Sequence, residues 1–131
     1  MKLSVIIPAY KQSKTIIEDL GNIQNILNQI RYDYEMIVVN DGSPDKTFEK
    51  MQEFYENHAS PKNRVSVYSY EKNQGKGYAV KFGMSKSTGD YIAFIDSGMD
   101  LNPNGLSLLL EHMEWYKADI VVGSKRHPAS K

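Results

Sequence analysis

Apolar positions along this chain fall into two alternating rhythms. Near-continuous runs at Leu3-Ser4-Val5-Ile6-Ile7, at 34–39 and at Tyr91-Ile92-Ala93-Phe94-Ile95 are rich in β-branched and aromatic residues and predict buried strands. Across 64–70, Val65 and Val67 alternate with Ser66 and Tyr68, and Asp119-Ile120-Val121-Val122 reads as a last strand. Between the strands the spacing turns helical. Ile16, Ile17, Leu20, Ile23, Ile26, Leu27 and Ile30 share one face of a helix predicted from Ser13 to Ile30. Gly21 costs that helix about 1 kcal/mol relative to Ala and offers a place to kink or break. Phe48, Met51, Phe54 and Tyr55 give an apolar face to a second helix opening at Ser43-Pro44-Asp45, where a cap candidate precedes a proline in the first turn. The loop Glu71 to Gly77 opens a third helix through Ser87, Gly89-Asp90 turns into the strand 91–95, and Leu106 to Trp115 reads as helical. This alternation predicts an α/β fold, a mainly parallel, twisted sheet with helices on both faces.

The strands end in polar loops. Ile7 gives way to Pro8-Ala9-Tyr10, Val39 to Asn40-Asp41-Gly42-Ser43, and Ile95 to Asp96, followed by Gly98, Asp100, Asn102 and Pro103. A carboxylate at the carboxyl end of a buried parallel strand sits where open α/β sheets bind ligands, and three such ends along one edge look like a nucleotide site. Each feature also has a plainer meaning. Asp41-Gly42-Ser43 is ordinary turn chemistry. Asn73-Gln74-Gly75-Lys76-Gly77 reads equally as a solvated loop or as backbone N–H groups and Lys76 meeting a phosphate at a helix N-terminus. Neither the P-loop pattern nor G-x-G-x-x-G occurs. Tyr10 is either a surface aromatic or a stacking platform for a base. His58, His112 and His127 are scattered without metal-ligand spacing, no Ser/His/Asp order can be assigned, and Trp115 and Tyr116 read as packing or helix-end residues.

Composition removes several classes. The chain has 131 residues, which suits one core, and its 16 basic and 16 acidic residues cancel, leaving no electrostatic footprint for nucleic acid. It contains no Cys, so disulfides and thiolate chemistry are absent. No apolar run approaches the roughly 20 residues that span a bilayer, and the N-terminus reads as a strand rather than a signal peptide. These features predict a soluble, cytoplasmic domain. After Val122-Gly123-Ser124 comes the polar stretch Lys125 to Lys131 with no closing element. The expectation is a chain truncated at its C-terminus, residues 1–131 of a longer protein; the other reading is a short natural chain with a frayed tail.

Taken in order, these segments resemble the family 2 glycosyltransferases, whose nucleotide-binding half has the Rossmann-like GT-A fold. The likeness rests on Ser4-Val5-Ile6-Ile7-Pro8-Ala9-Tyr10, on Glu35 to Thr47, on Asn73-Gln74-Gly75-Lys76-Gly77 with Ala79 and Gly83, and on Gly89 to Asp96. Within the family, the Asn-x-Gly-Lys-Gly loop and the segment from Asp119 to Arg126 look most like enzymes acting on polyprenyl or dolichyl phosphate.

The resemblance implies transfer of a sugar, with inversion, from a nucleotide-diphosphate sugar such as a UDP-sugar to a sugar or lipid-phosphate acceptor. It implies nucleotide binding by Pro8, Ala9, Tyr10, Asp41, Lys72, Asn73, Gly75 and Lys76. The first three would line the base pocket, Asp41 would accept a base N–H, and Lys76, or Lys72 nearby, would sit by the diphosphate. Asp96, with Asp100 if the chain turns back at Gly98, would hold Mg²⁺ or Mn²⁺, hard cations that prefer oxygen ligands. Lys125 and Arg126 would either assist or form a solvated tail. The catalytic base, and any membrane contact, would lie beyond Lys131.

Two departures stand out. The usual Asp-x-Asp reads Asp96-Ser97-Gly98, and Lys11-Gln12 stands where Asn-Glu is common. A non-catalytic nucleotide-sugar-binding module is the alternative these departures favour. A nucleotidyltransferase is disfavoured, since no Gly-rich, Arg-containing loop follows the first strand.

Overall fold

The computed structural model describes residues 2–29, 33–58, 64–95 and 114–117. Its elements are β1 (Lys2–Ala9), α1 (Ile16–Leu27), β2 (Asp33–Asp41), α2 (Thr47–His58), β3 (Arg64–Tyr70), α3 (Lys76–Lys86), β4 (Tyr91–Phe94) and β5 (Glu114–Lys117). The strands form one sheet in the order β3-β2-β1-β4-β5. The first four are mutually parallel, and β5 runs antiparallel to β4. Successive strands move outward from β1 to β3, then β4 returns to the other side of β1. That reversal is the point at which open α/β sheets leave a crevice at their carboxyl edge.

Side-chain alternation distributes the core over both faces. Val5 and Ile7 of β1 and Met36 and Val38 of β2 meet Ile16, Leu20, Ile23 and Leu27 of α1 and Met51 and Phe54 of α2. Their neighbours Ile6, Ile37 and Val39 point the other way, toward Ala79 of α3 and the partly buried Phe82. Helix α3 sits close to the sheet because Gly83 has no side chain: a Cβ there would lie 2.5 Å from Cγ2 of Ile6. Pro8 is tolerated in the central strand for a related reason of register. Pairing between β1 and β4 ends at Ile6, and Pro8, two residues on, aims its missing N–H past the end of that ladder.

Several boundaries differ from the sequence expectation. Helix α1 spans Ile16–Leu27 rather than starting at Ser13, and it continues through Gly21 without a break. Helix α2 begins at Thr47, past the Ser43-Pro44-Asp45 start. The hydroxyl of Ser43 is drawn away by the backbone N–H of Lys11 at 3.0 Å, and Asp45 instead accepts the Thr47 N–H at 3.1 Å. The helix expected over Leu106–Trp115 does not include its last two residues, because Glu114–Lys117 form β5. Trp115 and Tyr116 therefore lie in a strand opposite Ala93 and Ile92, not at a helix end. The pairing offered by the edge of β4 outweighs local helical spacing there. Residues 106–113 and the strand expected at 119–122 lie outside the described residues.

Candidate nucleotide site

Three chain segments meet at the carboxyl edge of the sheet. The first is the end of β1, where Pro8 and Ala9 lead to Tyr10, which is 41% exposed. The chain then takes a left-handed step at Lys11, φ 54°. This conformation disfavours most side chains and is tolerated best by Gly, Asn and Asp. The step is pinned by backbone donors: Lys11 N–H to Ser43 Oγ, and Gln12 N–H to Thr47 Oγ1 at 2.9 Å. Lys11 Nζ lies 5.3 Å from the centroid of the Tyr10 ring, within cation–π range. At the start of α2, the Asp45 carboxyl is held below the usual carboxylate range by hydrogen bonds, chiefly from the Thr47 hydroxyl.

The second segment is the end of β2. Asn40 is buried, donates to Ser69 Oγ at 3.0 Å and accepts the Ser43 N–H at 3.3 Å, so it fixes the turn from both sides. Asp41, the last residue of the strand, is only 4% exposed. Gly42 follows with φ 65°, and a Cβ there would stand 2.2 Å from Asn73 N and 2.4 Å from the Lys72 carbonyl carbon. Only glycine allows the turn to lie against the third segment, the loop between β3 and α3.

That loop is organised by the Asp41 carboxylate. Its Oδ1 accepts the Tyr70 hydroxyl at 2.6 Å and the Gln74 N–H at 2.8 Å. Its Oδ2 accepts the Asn73 side-chain amide at 2.8 Å and the Gly75 N–H at 3.0 Å. The same Asn73 amide also donates to the Asp41 carbonyl at 3.0 Å. Burial, and then the adjacent Asp41 carboxylate, push the Tyr70 hydroxyl well above its ordinary range, so it remains a donor.

Together the segments enclose a cavity of about 360 Å³. Its wall is formed by Pro8, Ala9, Tyr10 and Gln12 from β1 and beyond, Asp41 from β2, and Asn73, Gly75 and Lys76 from the loop and the first turn of α3. Lys72, expected beside them, does not line it; its side chain is exposed and its backbone backs onto Gly42. Gln12 was not anticipated as a wall residue, although its place two residues past Tyr10 was the available signal. Tyr70 was also missed, since its partner is 29 residues distant in sequence. The cavity combines an apolar floor, an aromatic ring, a buried carboxylate, and a lysine at a helix N-terminus with no acidic residue in its first turn. That set suits a flat heterocycle carrying an N–H and joined to a phosphate chain.

Residues 4–130 match the model of glycosyl transferase family 2. The chain belongs to this family. It is 35% identical, over 95% of its length, to a dolichol-phosphate mannosyltransferase of Pyrococcus furiosus and covers 33% of that protein. It is 33% identical, over 97% of its length, to a dolichyl-phosphate beta-glucosyltransferase of Drosophila melanogaster and covers 41% of it. The structure of TarS 1-349 from S. aureus in complex with UDP is similar at a TM-score of 0.63 and 28% identity, over 85% of this chain and 31% of that one. Mannosyltransferase PcManGT from Pyrobaculum calidifontis, in complex with GDP-Man and Mn²⁺, shares the fold at a TM-score of 0.68 and 23% identity, over 84% of this chain and 31% of that one. The chain thus spans roughly a third to two-fifths of the length of these curated family 2 relatives.

The metal candidates Asp96 and Asp100 lie outside the described residues, as do Gly98, Lys125 and Arg126. Among the described residues, no three His, Cys, Asp or Glu side chains converge on a point that could hold an ion. No helix among them is long and apolar enough to cross a membrane.

Proposed function

We propose that the cavity binds the nucleoside diphosphate of a nucleotide sugar, and that the full-length protein transfers the sugar, with inversion, to a polyprenyl phosphate acceptor. The observation that carries this reading is the convergence of Tyr10, Asp41, Asn73, Gly75 and Lys76, from three separate segments, on one cavity. The acceptor class is supported by the names of the dolichol-phosphate mannosyltransferase and dolichyl-phosphate beta-glucosyltransferase relatives. A diphosphate-linked ligand is supported by the UDP and GDP-Man carried by the structural neighbours.

In this reading the base lies over Pro8 and Ala9 against Tyr10, with its ring N–H directed to Asp41. The first turn of α3 and Lys76 face the diphosphate, where a cation and a helix N-terminus neutralise charge as the sugar bond breaks. Lys72 adds long-range attraction from outside the wall. Asp96 is the carboxylate suited to Mg²⁺ or Mn²⁺, and Asp100 would join it only if a tight turn at Gly98 brought it back. Such an ion, when bound, supplies charge neutralisation on the leaving group. No base that would activate the acceptor, and no acceptor pocket, is assigned among the described residues.

Calorimetric titration tests the reading. UDP or GDP should bind more tightly than ATP or NAD, and Asp41→Ala should weaken binding by about 1–3 kcal/mol. Tighter binding of NAD would overturn it. Mn²⁺ and UDP should bind with positive, reciprocal coupling that Asp96→Asn removes. Gly98, in place of the second carboxylate of Asp-x-Asp, favours the second reading, a non-catalytic nucleotide-sugar-binding module. Nucleotide binding with no Mn²⁺ coupling would select it.

A further inference from the structure

The Asp41 carboxylate is full. A carboxylate offers about four lone-pair directions, and here each oxygen accepts two donors: Tyr70 and Gln74 on Oδ1, Asn73 and Gly75 on Oδ2. A base N–H can therefore be accepted only in place of a donor already there. The four donors are not equivalent. Three come from consecutive residues of one loop, 73–75, and Asn73 and Gly75 line the cavity.

The fourth comes from the far side. Tyr70 does not line the cavity; it is the register partner of Asp41 in the β2–β3 ladder. Its ring is clamped edge-on between Tyr78, at 5.3 Å and 88°, and Phe82, at 5.6 Å and 66°, both on α3. Loop donors can be exchanged by a loop movement that leaves the sheet intact. The Tyr70 hydroxyl is attached to the sheet and to α3, so it stays in place while they exchange.

We propose that Tyr70 is a positioning residue of this pocket: its hydroxyl fixes the Asp41 carboxylate so that the oxygen given up by the 73–75 loop faces the base N–H. The proposal rests on the nucleotide-binding reading above and adds a residue outside the cavity wall that sets base selectivity. Without the hydroxyl, the carboxylate is held only by the loop it must release, and the N–H loses its fixed acceptor. Tyr70→Phe removes that one oxygen and keeps the ring that packs against Tyr78 and Phe82.

The test uses the full-length protein and two pairs of probes: UDP with its N3-methyl analogue, and GDP with its N1-methyl analogue. Calorimetry on the unmodified protein should show at least tenfold weaker binding of the methylated member of the pair that fits. Equal binding of both members would overturn the base-contact reading and this inference with it. Where discrimination is present, Tyr70→Phe should weaken the parent nucleotide about five- to tenfold and its methylated analogue less than twofold. A purely structural Tyr70 would weaken both equally, and that result, or unchanged discrimination, would overturn the inference alone. Asn73→Ala supplies an independent check, because it removes an exchangeable donor and leaves Tyr70. It should preserve or increase the discrimination; a collapse matching that of Tyr70→Phe would also overturn the proposal.

Discussion

Strand β2 carries a buried carboxylate near each end, and the two environments differ in what they leave open. Glu35, near the amino end, is 7% exposed, and its Oε2 accepts the Ser4 hydroxyl at 2.6 Å, the Thr88 N–H at 2.7 Å and the Thr88 hydroxyl at 3.0 Å. Its other oxygen lies 3.7 Å from Lys2 Nζ. The Ser4 hydroxyl in turn accepts the Gly89 N–H at 2.8 Å, so the start of β4 is stitched to β1 and β2. Asp41, at the other end, is equally well hydrogen-bonded, but its four donors among the described residues are neutral and it lines a cavity. A carboxylate with a cation partner that bridges three strands acts as a staple. One beside a cavity, held by neutral donors of a loop, can take a ligand N–H in exchange for one of them.

The largest expected effect breaks the amino-end cluster. Glu35→Ala leaves the Ser4 hydroxyl and the Thr88 N–H without their buried acceptor and should cost about 3 kcal/mol of stability. Urea unfolding would measure this, while UDP affinity of the folded protein should be unchanged. A tenfold fall in affinity would show that the two ends are not independent. Gly42→Ala attacks the carboxyl end, where a Cβ would overlap the backbone of Lys72 and Asn73. It should cost about 2 kcal/mol and weaken UDP at least tenfold, since the loop carrying Asn73 to Lys76 must move. Stability loss with intact affinity would mean that the cavity does not depend on this contact. The smallest effect is a gain: Lys11→Asn relieves a left-handed backbone step and should raise stability by about 0.5–1 kcal/mol. A lower melting temperature would instead assign the Lys11–Tyr10 contact the greater weight.

The cores of these elements were legible because strand and helix periodicities are local properties of the chain. Val5 to Ile7, Met36 to Val39 and, on α1, Ile16, Leu20, Ile23, Ile26 and Leu27 are buried as their spacing predicts, with Ile17 partly buried beside them. Boundaries were less legible where a side chain is claimed by a distant partner. Ser43 reads as a helix cap from its neighbours alone, but its acceptor role is taken by Lys11, 32 residues earlier. Residues Glu114–Lys117 take strand geometry through pairing with β4, which no local window contains. The cavity residues Pro8, Tyr10 and Asp41 stand out at the ends of predicted strands, and Asn73 and Lys76 in the loop that opens a predicted helix. Tyr70 does not, because in sequence it is only one more alternating residue of β3.

Among the described residues, those that wall the cavity all precede residue 77, although β4 and β5 follow later in the chain. During synthesis the amino-terminal part emerges first and can fold while the rest is still being made. The strands that define this pocket pair side by side, β1 with β2 and β2 with β3, and α3 follows directly. The described residues that line the cavity are therefore made before β4 and β5, which complete the sheet around β1. A nucleotide bound as proposed would tie these early segments together and favour the folded chain by mass action.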